Sequence, residues 1–174
     1  LDQGRLIFRA NFMKVIRHAW GGMTETKEAI FLGDIENVEE GWTTHEFIRS
    51  LSKDGVNPDT SYMTIYAAID SLDDTKPARG LVYIDDVTYQ ALGGIVNPNE
   101  FQLDFENKAL LPSYLEKSIN FSCERDPAAL ANTSLLLEAP RANQSEHTLI
   151  GGDIARIRIP DRADLLQISL KTWP

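Results

Sequence analysis

Strict alternation of apolar and polar residues, repeated along nearly the whole chain, constrains this sequence more than any other feature. Leu165-Leu166-Gln167-Ile168-Ser169-Leu170-Lys171-Thr172-Trp173 sends Leu166, Ile168 and Leu170 to one side and Gln167, Ser169, Lys171 and Trp173 to the other. Arg5 to Ile16 sets Leu6, Phe8, Ala10 and Phe12 against Ile7, Arg9, Asn11 and Met13. A period of two is the geometry of a half-buried strand, because successive Cβ atoms point to opposite faces of a sheet. Similar short runs cover 28–36, 42–50, 61–70, 80–90, 101–106, 118–125, 134–139 and 153–159. Turn signals separate them: Gly21-Gly22, Lys53-Asp54-Gly55, Asn57-Pro58-Asp59, Asp73-Asp74, Gly93-Gly94, Asn97-Pro98-Asn99 and Gly151-Gly152. Two stretches carry weak helical signals, 109–117 and Asp126 to Ala131, the latter with Asp126 as cap and Pro127 in the first turn. This rhythm predicts an all-β sandwich of two antiparallel sheets.

A chain of 174 residues with 43% apolar side chains can bury a core without staples, so one domain over 1–174 is expected. The single cysteine, Cys123, rules out an intrachain disulfide and reads as a small buried hydrophobe in a strand. The net charge of −9 leaves no basic excess for phosphates, which argues against non-specific nucleic-acid binding and against docking on anionic lipid. No apolar run is long enough for a transmembrane helix. The chain begins at Leu1 rather than Met, which suits a mature form or a piece of a longer protein with other domains.

Three segments carry a resemblance. Gly80-Leu81-Val82-Tyr83-Ile84-Asp85-Asp86-Val87-Thr88-Tyr89, preceded by the Trp42-led strand and the 61–70 strand, resembles the closing half of a jelly-roll carbohydrate-binding module of the galactose-binding-domain-like kind. Leu103-Asp104-Phe105-Glu106-Asn107 and the 165–173 strand resemble its opening half. The closing elements fill 1–95 and the opening elements 96–174, so the order is permuted or out of phase. A circular permutation joined through 91–100 competes with two half-modules and with exchange of halves between chains. The resemblance implies a jelly-roll-like sandwich that binds polysaccharide or oligosaccharide without catalysis. It also implies an extracellular or periplasmic setting, as an accessory domain of a glycoside hydrolase or polysaccharide lyase.

Alternation supplies a candidate surface. Tyr62, Tyr66, Trp173, Arg9, Asn11, Arg156, Arg158, Gln167 and Lys171 fall on outward positions. Aromatic faces stack on sugar C–H faces, and Arg, Asn and Gln bond hydroxyls. Basic residues in an acidic protein would suit uronate or sulfated sugars. Asp85 shares the alternation parity of Tyr83, Val87 and Tyr89, and an ionised carboxylate on an inward face needs a partner. The resemblance implies a structural calcium there, with Asp85 and Glu106 as ligands and Asp86 and Asp104 as further oxygens. His18, His45 and His147 lack metal-ligand spacing, and His45 reads as a strand-surface residue. No nucleophile elbow or P-loop occurs, and no carboxylate pair stands out as glycosidase-like. The triplets beginning at Asn120, Asn132 and Asn143 match the glycosylation acceptor pattern. The rival readings are a structural or adhesive interaction module and a small β-sandwich lyase or hydrolase.

Overall fold

The computed structural model describes residues 1, 4–36, 40–56, 62–72, 78–92, 100–103, 105–106, 121–125, 132–138, 150–159 and 164–174. Among the described residues ten strands follow one another: β1 Gly4–Arg17, β2 Met23–Ile35, β3 Thr43–Ser50, β4 Tyr62–Ser71, β5 Leu81–Leu92, β6 Glu100–Leu103, β7 Phe121–Arg125, β8 Thr133–Glu138, β9 Ile150–Arg158 and β10 Leu165–Trp173. They build a four-stranded sheet in the order β2-β1-β4-β9 and a six-stranded one in the order β3-β10-β5-β8-β7, with β6 also pairing β5. All pairings are antiparallel. The chain changes sheet on going from β2 to β3, β3 to β4, β4 to β5, β8 to β9 and β9 to β10. The fold is an all-β sandwich.

The two stretches 1–95 and 96–174 interleave. β10 lies between β3 and β5, and β9 lies beside β4. Neither stretch closes its own sheets. β5 and β6 are antiparallel neighbours, from Val87↔Leu103 to Gln90↔Glu100. The segment 93–99 between them, the 57–59 and 73–74 turns and the two weak helical stretches lie outside the described residues.

The inward sets read from alternation do form the core. Leu6, Phe8, Ala10 and Phe12 of β1, Met63, Ile65, Ala67 and Ile69 of β4, and Leu166, Ile168 and Leu170 of β10 are all buried in one cluster. Each such large side chain contributes about 1.5–3 kcal/mol on leaving water. The sheets are tied at one edge by Phe8 against Phe47, ring centroids 5.7 Å apart. Gly33 makes room there, since a Cβ would lie 2.9 Å from the Phe47 ring. Arg49 on β3 donates to the carbonyl of Leu32 on β2.

Four readings of single residues change. Gly151 and Gly152 are strand residues of β9, not a turn. A Cβ on Gly151 would overlap the Ala67 carbonyl oxygen and lie 2.5 Å from Ala68 Cα, so only glycine lets β9 approach β4 there. His45 faces inward rather than out: it pairs with Leu170, is half-buried, and its Nε2 is 2.8 Å from the Oγ1 of fully buried Thr172. Its desolvation pushes the imidazole below its ordinary range. Cys123 is only half-buried, on β7 against the core. Asp85 does not share a face with Val87 and Tyr89, for the reason that follows.

Among the described residues three bulges interrupt the alternation, and each turns an aspartate outward. In β2 the register slips so that Phe8 faces Gly33 while Arg9 faces Phe31; Leu32 is buried, and Asp34 swings out to Arg5. In β5, Asp86-Val87 together oppose Leu170, with Asp86 at φ 48°. Val87 and Tyr89 then point inward, while Asp85 stays out with Tyr83. In β9 the slip between Ile65 and Tyr66 leaves Ile154 and Ala155 both buried and Asp153 exposed. Without a bulge, period-two parity would place Asp34, Asp86 and Asp153 beside Leu32, Ile84 and Ala155 in the core, an expensive location for a charge.

Candidate functional site: the outer face of the four-stranded sheet

Register decides what shares a surface. On the outer face of the four-stranded sheet, Asn11 pairs with Thr64, and Thr64 with Arg156. The next row holds Phe31, Arg9, Tyr66 and Asp153. On the other side, Met13 pairs with Tyr62. Neighbours in a row stand ~4.5–5.5 Å apart at Cβ, close enough for side chains to interact.

The middle row is low. Asn11 is 3% and Thr64 7% exposed, although both point away from the sandwich core. Residues i and i±2 on one strand flank each other, so Tyr62 and Tyr66 rise on either side of Thr64, and Arg9 and Met13 on either side of Asn11. The result is a shallow trough with a polar floor. Its groups are wired together: Thr64 Oγ1 donates to Asp153 Oδ1 at 2.9 Å, and Asn11 Nδ2 lies 3.3 Å from Thr64 Oγ1 and 3.4 Å from Asp153 Oδ1. Arg156 lies over the Tyr62 ring, 4.0 Å from its centroid, a cation–π contact that covers one ring face. Burial, partly offset by Arg9, pushes the Tyr66 phenol above its ordinary range, so it stays a neutral hydrogen-bonding group. Beyond the trough, Arg5 closes the face with ion pairs to Asp34 at 3.2 Å and Asp70 at 3.0 Å.

This face therefore gathers Tyr62, Tyr66, Arg9, Asn11 and Arg156. Arg158 takes the register position opposite Tyr62, its side chain lying outside the described residues. Trp173, Gln167 and Lys171 are elsewhere: β10 belongs to the other sheet, so they point from the opposite side of the sandwich. Alternation sorts residues by face within one strand and carries no information about which sheet the strand joins. On that second face Trp173 meets Trp42 edge-on at 5.9 Å, and Lys171 Nζ is 2.6 Å from Asp86 Oδ2. The bond to Asp86 raises the Lys171 ammonium above its ordinary range.

Asp153 was not legible as a site residue, because its parity is that of Ala155 and Ile157. A carboxylate at an inward position of an otherwise apolar run is the one sequence mark of such a bulge.

The carboxylates named for calcium are engaged separately. Asp85 Oδ1 accepts from the Asp86 amide at 2.8 Å, Asp86 pairs with Lys171, and Glu106 Oε1 accepts from the Thr133 amide at 2.9 Å. Among the described residues no group of three or more His, Cys, Asp or Glu is placed to hold a metal ion. Asp104 lies outside the described residues.

Fold and surface define an all-β sandwich with one polar, aromatic-walled sheet face. No protein-family model, no curated protein and no solved structure matches the chain.

Proposed function

We propose that the protein is a non-catalytic carbohydrate-binding module whose sugar site is the outer face of the four-stranded sheet. The observation that carries this reading is the trough itself: a hydrogen-bonded floor of Asn11, Thr64 and Asp153 between Tyr66, Tyr62 and two arginines. Its chemistry suits a glycan. Tyr66 offers an apolar ring for a sugar C–H face. Asp153, which is exposed, accepts from hydroxyls, while Arg9 donates to hydroxyls or to a uronate or sulfate. Hydrogen bonds within the floor hold these groups in place before binding, which lowers the ordering cost that binding must meet. The resemblance noted in the sequence adds the expectation of an extracellular or periplasmic accessory domain of a longer chain.

Affinity electrophoresis through gels containing acidic and neutral polysaccharides tests the proposal. Retardation by one of them, lost in Arg9→Ala and Tyr66→Ala and kept in Trp173→Ala, supports the trough as the site. Loss only in Trp173→Ala moves the site to the opposite face. Free migration through every gel overturns the reading and favours an interaction module.

A further inference from the structure

Among the described residues the β1–β2 hairpin runs past the last β1–β4 pair. Among the described residues, β1 last pairs with β4 at Met13↔Tyr62, whereas β1 and β2 continue for the pairs Lys14↔Thr26, Val15↔Glu25, Ile16↔Thr24 and Arg17↔Met23. At ~3.4 Å per residue this ribbon reaches about 14 Å beyond the last β1–β4 pair before the turn begins.

Its tip exposes apolar surface on every side. Trp20 is 78% and Met23 67% exposed, and Ile16, on the opposite ribbon face from Met23, is also exposed. Trp20 is held rather than loose: its ring stacks on His18 at 5.1 Å and 6°, and a Cβ on Gly22 would overlap it. Gly21, at φ 87°, and the pair His18 N→Gly22 O and Gly21 N→His18 O, both 2.9 Å, close the turn beneath it. A tryptophan fixed in water by its neighbours costs solvation without adding to the core.

The charge pattern selects the occupant. The extended pairs and their turn, residues 14–26, carry Lys14, Arg17 and His18 against one carboxylate, Glu25, in a chain of net charge −9. The tip also lacks amide side chains, which a sugar site would use for hydroxyls. Tryptophan with flanking cations is the composition that settles at the headgroup level of a bilayer. The tip lies about 14 Å along the ribbon from the last β1–β4 pair, beyond the ~8 Å Debye length at physiological salt, so the charge of the sheet is screened there and the ribbon's own Lys14, Arg17 and Glu25 set the local field. We infer that the β1–β2 hairpin is an interfacial anchor, placing Trp20, Met23 and Ile16 among the headgroups of an anionic lipid surface with Arg17 at the phosphates. This anchor is independent of the sugar site and spans nothing.

Co-sedimentation with vesicles of phosphatidylcholine containing phosphatidylglycerol, beside vesicles of phosphatidylcholine alone, tests the inference. The protein is expected to sediment with the anionic vesicles, and raised salt to weaken this. Trp20→Ser is expected to abolish it and Arg17→Glu to weaken it by roughly an order of magnitude, with circular dichroism unchanged because both positions are exposed. Met23→Ser serves as a second apolar variant. Failure to sediment with anionic vesicles, or sedimentation unaffected by Trp20→Ser and Met23→Ser, overturns the anchor. Retardation by polysaccharide in the Trp20→Ser variant separates this outcome from that of the sugar-site proposal.

Discussion

Replacing Thr64 by valine removes one hydroxyl from the floor of the trough while keeping the β-branched shape and the strand preference. Thr64 is 7% exposed, so water cannot readily take the place of what is lost. The hydroxyl donates to Asp153 at 2.9 Å and lies 3.3 Å from Asn11 Nδ2. A hydrogen bond to a carboxylate contributes about 1.5–3 kcal/mol, and a long neutral one adds less. Asp153 is itself exposed and regains water when its partner goes, which lowers the figure. Thr64→Val is therefore expected to destabilise the fold by about 1–2 kcal/mol. For a chain of this size that is a fall in Tm of roughly 3–6 °C. The assay is urea denaturation of wild type, Thr64→Val, Asp153→Ala and the double variant. A coupling energy of about 1 kcal/mol between the two positions is expected. Coupling below about 0.3 kcal/mol would show that the hydroxyl and the carboxylate act independently, and the trough floor would not be the connected unit described above.

Further outcomes follow from other parts of the sandwich. Gly151→Ala is expected to cost about 2–3 kcal/mol, because its Cβ meets β4 backbone, whereas Gly152→Ala meets only the Phe121 ring edge at 3.1 Å and stays below about 1 kcal/mol; equal Tm values for the two would refute the close approach of β9 to β4. Burial holds the His45 imidazole below its ordinary range, and in the unfolded chain it titrates near about 6.5. Its contribution is fully present above that pH and is lost as pH falls through 6.5 and then through the folded value, since the unfolded chain takes the proton first. Urea midpoints should thus decline between about pH 7 and 5 less steeply in His45→Gln than in wild type; identical slopes would refute an inward, desolvated His45. EDTA is expected to leave Tm unchanged, since Asp85, Asp86 and Glu106 are engaged with an amide, Lys171 and an amide respectively; a drop in Tm reversed by calcium would restore the metal site.

The strands were legible because alternation is a local signal that burial on one face imposes on every strand. It placed Phe8 and Phe12, Met63 and Ile65, and Ile168 and Leu170 in the core. The same signal failed wherever a residue was inserted into a ladder. Asp34, Asp86 and Asp153 each sit at an inward parity, and each is rescued by a bulge. An aspartate breaking an apolar period-two run marks such a bulge, but only the paired strand shows where the extra residue lies. Gly151-Gly152 misled for a related reason: glycine signals a turn by its conformational freedom and here serves by its lack of a side chain.

What the residues determine alone is thus the element type, the inward set of each unbroken strand and the presence of Arg, Tyr and Asn on outward positions of β1 and β4. Which strands become neighbours is a matter of long-range ladder pairing and inter-sheet packing. Those set β10 apart from β1, β4 and β9, and so parted Trp173, Gln167 and Lys171 from Tyr66 and Arg9. They also brought Asp153 to Thr64 across 89 positions of sequence. Side-chain direction is written residue by residue, whereas a surface is assembled from strands far apart in the chain, and only the tertiary structure decides which of them meet.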